Sequence, residues 1–302
     1  MPILHFLLVA VFVLLVPAAA LAEADPWAGA APKPGKVGTI AGKMNEEAWL
    51  VPGGPGADGK PALLKARVFR PAGDGPFKVA MINHGSPPSA DQRPTMAVPA
   101  YRAASEWFVG HGYMVVVPQR RGYGGNGRWA ETYGGCANPN YVAAGRAGAD
   151  DIEAATDYVR GLPAVRKDRV LLVGQSAGGF GVIATAQRNP DGVFAVLNFA
   201  GGRGGRQGPN ADQVCSPDRL VAAMKTFGAG AGPPSLWLYT KNDSFFEPAF
   251  SRRMAEAYRA AGGKAEYLLL PAFKSDGHDM FGNADGRALW TGPVAEFLKR
   301  LE

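Results

Sequence analysis

Short apolar runs recur along the chain, and most are followed by a stretch whose apolar residues return at helical spacing. The runs at residues 77–83, 113–117, 170–173, 193–198, 235–240 and 265–270 are rich in branched and aromatic side chains and too short for helices. They read as buried strands. Helices are predicted over residues 98–109, 143–160, 179–188, 218–227, 248–261 and 291–301. In the second of these, Ile152, Ala155, Tyr158 and Val159 fall on one face. Strands that alternate with helices and are apolar on both faces predict a mainly parallel sheet covered by helices on both sides. Ahead of them, residues 46–51 and 63–70 read as two strands joined by the turn-rich 52–61, an antiparallel start to the sheet. Residues 23–45 are rich in Pro, Gly and Ala and read as an extended N-terminal segment. No internal repeat or low-complexity tract divides the rest of the chain, so residues 46–302 read as a single α/β domain.

One apolar stretch stands outside this alternation. Residues 3–16 are apolar apart from His5, and the small residues after them end in Ala20-Leu21-Ala22. This predicts a secretory signal peptide over residues 1–22, although no Lys or Arg precedes its apolar core. The run is shorter than the ~20 residues that cross a bilayer, so no stable membrane span is expected after cleavage. The expected location is the periplasm or the medium. Export changes the reading of the two cysteines. Cys136 and Cys215 both lie in polar loop stretches, and in an oxidising compartment a disulfide between them is favoured over two unrelated thiols.

Charge changes the picture little. The net charge is +6, with 47% hydrophobic and 19% charged residues, as in a well-cored globular protein. Lys and Arg are scattered; the tightest pairs are Arg120-Arg121, Arg252-Arg253 and Lys299-Arg300. That is a mildly basic surface, and nucleic acid is not an expected partner.

The chemistry centres on Gly174-Gln175-Ser176-Ala177-Gly178, which sits where a strand runs straight into a helix. A serine on such a tight turn, with glycines where a Cβ does not fit, is presented as a nucleophile at the sheet edge. An acid and a base should then come later in the chain, in that order, each on a loop past a strand. Asp243 follows the strand at 235–240, and His278 follows the strand at 265–270. Of the other histidines past the signal, His111 reads as structural and His84 precedes the serine, so only His278 fits the base. Asp243 would orient its ring and steady the imidazolium. Two backbone amides are expected to receive the oxyanion: that of Ala177, and one from the His84-Gly85-Ser86 loop, with Ser86 the favoured donor. Three histidines without ligand spacing give no metal site, and no phosphate-cradling loop calls for a cofactor.

Taken together, Asn83-His84-Gly85, Arg121-Gly122-Tyr123-Gly124, the serine turn, Asn242-Asp243 and Gly277-His278 resemble the α/β-hydrolase superfamily. Within it the chain looks like the dienelactone-hydrolase-like and prolyl-oligopeptidase-type branch, over residues 60–300. Two features depart from that pattern. Dienelactone hydrolases use a cysteine where this chain has Ser176, and prolyl oligopeptidases carry an N-terminal propeller for which 302 residues leave no room. The resemblance therefore implies the α/β-hydrolase fold, the triad and the oxyanion hole, but no particular substrate. No stretch between 193 and 235 is long enough for a large helical lid, so an open site is expected. Candidate pocket residues are His84, Trp129, Tyr133, Arg203 and Phe245, with Arg206 nearby; aromatics beside arginines would suit an ester with an aromatic or carboxylate-bearing part. The bland reading has the aromatics packing loops and the arginines solvated. A carboxylesterase on small-molecule esters is the favoured function. A small serine peptidase of prolyl-oligopeptidase type and a non-catalytic binding protein are the alternatives.

Overall fold

A computed structural model describes residues 25–42, 44–206 and 211–301. The signal expected at residues 1–22 lies outside them. The elements run in the order β1 (Gly35–Ile40), β2 (Asn45–Pro55), β3 (Pro61–Arg70), β4 (Phe77–Asn83), α1 (Arg102–Gly110), β5 (Tyr113–Pro118) and α2 (Tyr141–Arg160). They continue with β6 (Val165–Gln175), α3 (Ala177–Ala186), β7 (Val193–Phe199), α4 (Pro217–Gly228), β8 (Ser235–Thr240), α5 (Pro248–Ala260), β9 (Ala265–Leu270) and α6 (Arg287–Lys299). The nine strands form one sheet in the order β1-β2-β3-β5-β4-β6-β7-β8-β9. Pairing is antiparallel from β1 to β5 and parallel from β5 to β9.

The period-two rule of a strand divides the core. Val170 and Leu172 of β6 face a cluster built with Ile152, Phe180, Met224, Phe227 and Met254, from helices α2 to α5. Leu171 and Val173 face the other side, with Phe108, Trp107, Trp290 and Phe297 from α1 and α6. Helices thus cover both faces, as a sheet apolar on both sides requires. All the parallel strands deliver their carboxyl ends to one edge, where the connecting loops gather.

Several boundaries differ from the sequence expectation. The segment at 23–45 contains a strand: β1 pairs with β2 from Gly35–Leu50 to Ile40–Glu46, and Trp27, Ile40, Ala48 and Leu50 form a small third cluster. Its two glycines and short apolar content conceal it. Strand β2 runs on through Pro52 to Pro55, with an irregular register there, and the Gly54 amide turns aside to donate to Asp151 Oδ1 (2.8 Å). Helix α1 starts at Arg102 and not at 98, because Pro99 disfavours helical backbone at residue 98 and Tyr101 is left-handed (φ 44°). Strand β6 starts five residues before the apolar run, at Val165, on an exposed stretch of charged residues. Helix α6 starts at Arg287 despite Gly292 and Pro293, since fully buried Trp290 packs that turn against Trp107 and Phe281.

Candidate active site

Strand β6 ends at Gln175 and α3 begins at Ala177, so Ser176 alone makes the turn. Its backbone adopts φ 53°, ψ −119°, a region that non-glycine residues avoid. The surroundings hold it there: the Ser176 amide donates to Phe199 O (3.0 Å), and its carbonyl accepts from the Phe180 (2.9 Å) and Gly202 (3.1 Å) amides. The flanking glycines are required by space. A Cβ on Gly178 would lie 2.0 Å from Asn83 O, and one on Gly174 would lie 2.3 Å from Gly178 O.

Asp243 and His278 arrive from the ends of β8 and β9. His278 sits in a 3-10 turn, Gly277–Asp279, and its Nδ1–H donates to Asp243 Oδ1 (3.0 Å). The same oxygen accepts the Phe245 (2.9 Å) and Phe246 (3.0 Å) amides, which fixes the buried carboxylate. With Nδ1 so engaged, Nε2 is the basic nitrogen. Phe245 stacks on the imidazole, with centroids 4.1 Å apart and planes at 24°. Burial of the ring favours its neutral form, yet the Asp243 carboxylate, through charge and hydrogen bond, prevails with help from Asp276 and Asp279. The pKa lies above the ordinary histidine value. Ser176 and His278 line one cleft and share no direct hydrogen bond.

Two residues that carry no sequence pattern join these parts. Gln175 donates through Nε2 to His278 O (3.0 Å) and accepts from the Tyr101 hydroxyl (2.8 Å), while that hydroxyl accepts from the Gly85 amide (3.3 Å). The serine turn, the histidine turn and the loop after β4 are thereby tied together.

The loop after β4 passes close to the serine: a Cβ added to Gly85 would lie 3.1 Å from Ser176 Cβ. The Ala177 amide is the first of α3 and has no acceptor within its own helix. Ser86 lines the cleft beside Ser176 and Ala177, and its hydroxyl meets Tyr123 OH at 2.6 Å and accepts from Arg203 Nη1 at 3.0 Å. Behind Ser86 lies a buried ionic group that the sequence did not reveal. Glu131 accepts from both Arg120 and Arg203, and Arg120 also donates to His84 O (2.8 Å). Burial opposes the charge on Glu131, but the two guanidiniums outweigh it and hold the carboxyl down at about 2.

Trp129, Tyr133, Arg203 and Phe245 all line a cavity of about 350 Å³ that opens at Ser176. His84, a fifth candidate, does not. Its side chain is 1% exposed; Nε2 accepts the Arg120 amide (3.1 Å) and Nδ1 donates to Gly85 O (2.7 Å). Burial and the adjacent Arg120 charge push its pKa down to about 3. It braces the loop as a neutral ring. Cys136 and Cys215 are joined in a disulfide, which connects the loop after β5 to the loop after β7. Among the described residues no three His, Cys, Asp or Glu side chains converge as metal ligands would. No described helix is long and apolar enough to cross a membrane.

The parallel sheet with helices on both faces has counterparts among solved structures. The esterase Pf2001 of Pyrococcus furiosus superposes with a TM-score of 0.57 at 14% identity, covering 87% of this chain and 98% of its own. A putative dienelactone hydrolase from Klebsiella pneumoniae gives 0.51 at 18% identity, covering 83% and 97%. The chain has the α/β-hydrolase fold. Residues 99–201 match a model of the prolyl oligopeptidase family, about a third of the chain. Dipeptidyl peptidase 4 of Porphyromonas gingivalis superposes with a TM-score of 0.59 at 16% identity over 85% of the chain, which spans only 35% of that peptidase. No curated protein matches the sequence.

Proposed function

We propose that this protein is an exported serine hydrolase that works through an acyl-enzyme on Ser176, and that its substrates are small carboxylic esters. The observation that carries the reading is the strained Ser176 in one cleft with a His278 whose far nitrogen is held by buried Asp243. His278 Nε2 takes the hydroxyl proton as Ser176 Oγ attacks the ester carbonyl. Charge develops on the carbonyl oxygen, where the Ala177 and Ser86 amides receive it; one such donor is worth about 3 kcal/mol. The C–O bond to the alcohol breaks, and the alcohol departs with the proton from His278. Water, deprotonated by the same ring, then releases the acid and restores Ser176. The matched structures, among them an esterase, support a hydrolase of this superfamily, and the disulfide is consistent with an oxidising compartment.

A peptidase is the second reading, favoured by the prolyl oligopeptidase match over residues 99–201. A panel of short-chain chromogenic esters and aminoacyl amides, assayed on the native protein and on Ser176→Ala, separates the two. Ester hydrolysis that exceeds amide hydrolysis and disappears in Ser176→Ala is the expected result. Faster amide cleavage moves the assignment to a peptidase, and full activity in Ser176→Ala removes the mechanism.

A further inference from the structure

Charge is divided unevenly on the two sides of Ser176. On the His278 side the cleft carries Asp276, Asp279 and Arg206. On the Trp129 side the charged lining residues are Arg93 and Arg203, and among the described residues no Asp or Glu side chain reaches that wall. Neither guanidinium has a carboxylate to itself. Arg203 shares the one carboxylate of Glu131 with Arg120, two cations to one anion, all of them buried. Arg203 Nε has no hydrogen-bond partner in the described residues. Arg93 forms no ion pair among the described residues, and its guanidinium lies over the Trp129 ring at 3.6 Å. A guanidinium stacked in this way keeps its in-plane N–H groups available to a planar anion. The cavity, about 350 Å³ with Trp129, Tyr133 and Phe245 on its walls, is near the small end for ligand pockets and suits one ring with a short polar tail.

We propose that this side of the cleft receives the acyl part of the substrate and selects an acyl group that ends in a carboxylate, such as an aromatic acid with a second acid function. The inference rests on Ser176 being the nucleophile. Arg93, half-buried against the Trp129 ring on the cavity wall, reads the anion, while the surplus positive charge behind Ser86 favours it from within.

Three 4-nitrophenyl esters of rigid acids test this: 4-carboxybenzoate, 4-carbamoylbenzoate and 4-(aminomethyl)benzoate, each rate divided by its uncatalysed alkaline rate. The native protein should prefer the carboxylate over the carbamoyl ester at least tenfold in kcat/KM. Arg93→Gln should bring that ratio towards unity, and Arg93→Glu should favour the ammonium ester. A native ratio at or below unity, or one that Arg93→Glu leaves unchanged, overturns the proposal while the esterase reading stands. If none of the three esters is cleaved, that reading fails, and calorimetry of terephthalate and terephthalamide on Ser176→Ala decides the pocket alone. Terephthalate binding that Arg93→Glu abolishes supports it; absence of terephthalate binding, or equal binding of both compounds, overturns it.

Discussion

His278 is a buried ring beside a buried carboxylate, and this pair sets the pH dependence of the proposed reaction. The ring accepts a proton only when neutral, and the Asp243 charge raises its pKa above the ordinary value of 6.5. On acidification, kcat/KM for a neutral ester should therefore fall through an inflection lying above 6.5. Asp243→Asn removes the charge and leaves the burial. The residual activity should titrate at lower pH, and kcat should drop about 10⁴-fold, the loss typical when the aspartate that orients such an imidazole is amidated. Profiles of both proteins on one ester decide it; an unmoved inflection would assign the titration to another group. The three residues of this constellation were legible because each stands at the end of an apolar strand, in chain order. Glu131, Tyr101 and Gln175 were not, since a buried ion pair and a hydrogen-bonded bridge depend on which loops meet and leave no periodicity behind.

At the scale of elements, the cleft is bordered by loops and held by ties between them. The disulfide joins residues 79 apart, and its surroundings reinforce it: Ser216 Oγ donates to Cys136 O (2.7 Å), and the Cys215 amide donates to Gly204 O (2.8 Å), next to Arg203. Closing a loop of that length restricts the unfolded chain by on the order of 4 kcal/mol. The double variant Cys136→Ser/Cys215→Ser should lose about that much in urea denaturation. It should also show a several-fold higher KM, because Tyr133 and Arg203 sit on the two loops that the bond connects. Unchanged stability and KM would count against a role in shaping the pocket. The same scale shows where sequence reading stopped short. Strands 77–83 and 235–240 coincide with β4 and β8, where an apolar run is bounded by polar loop residues. Strand β1 escaped notice because its stability comes from the open edge of β2 and a Trp27 cluster contributed from outside the strand. The start of α1 was set by Pro99 and a left-handed Tyr101, which an apolar stripe does not report.

For the molecule as a whole, the groups beneath the loop after β4 make acid costly. His84 is held neutral, with a pKa of about 3 against 6.5 when unfolded, so the unfolded chain takes up its proton first as the pH falls below 6.5. Glu131, lowered from 4.5 to about 2, acts with the same sign over a more acidic window. His278 acts oppositely: its contribution is complete below 6.5 and is lost as pH rises through its raised pKa. Buried Asp151 is raised and opposes them as His278 does, while Asp25 and Asp276 are lowered and act with His84 and Glu131. The lowered groups outnumber the raised ones, which predicts a lower Tm at pH 4.5 than at pH 7, read by calorimetry; equal or higher stability at pH 4.5 would contradict this balance. The parallel sheet brings Ser176, Asp243 and His278 to one edge from the ends of three different strands, and the proposed chemistry depends on that convergence. Its most direct test is labelling with a fluorophosphonate, which reacts only with an activated serine, followed by peptide mass spectrometry. The predicted result is one adduct, on Ser176, absent after His278→Ala and blocked by competing ester. An adduct elsewhere, or none on the native protein, would contradict it.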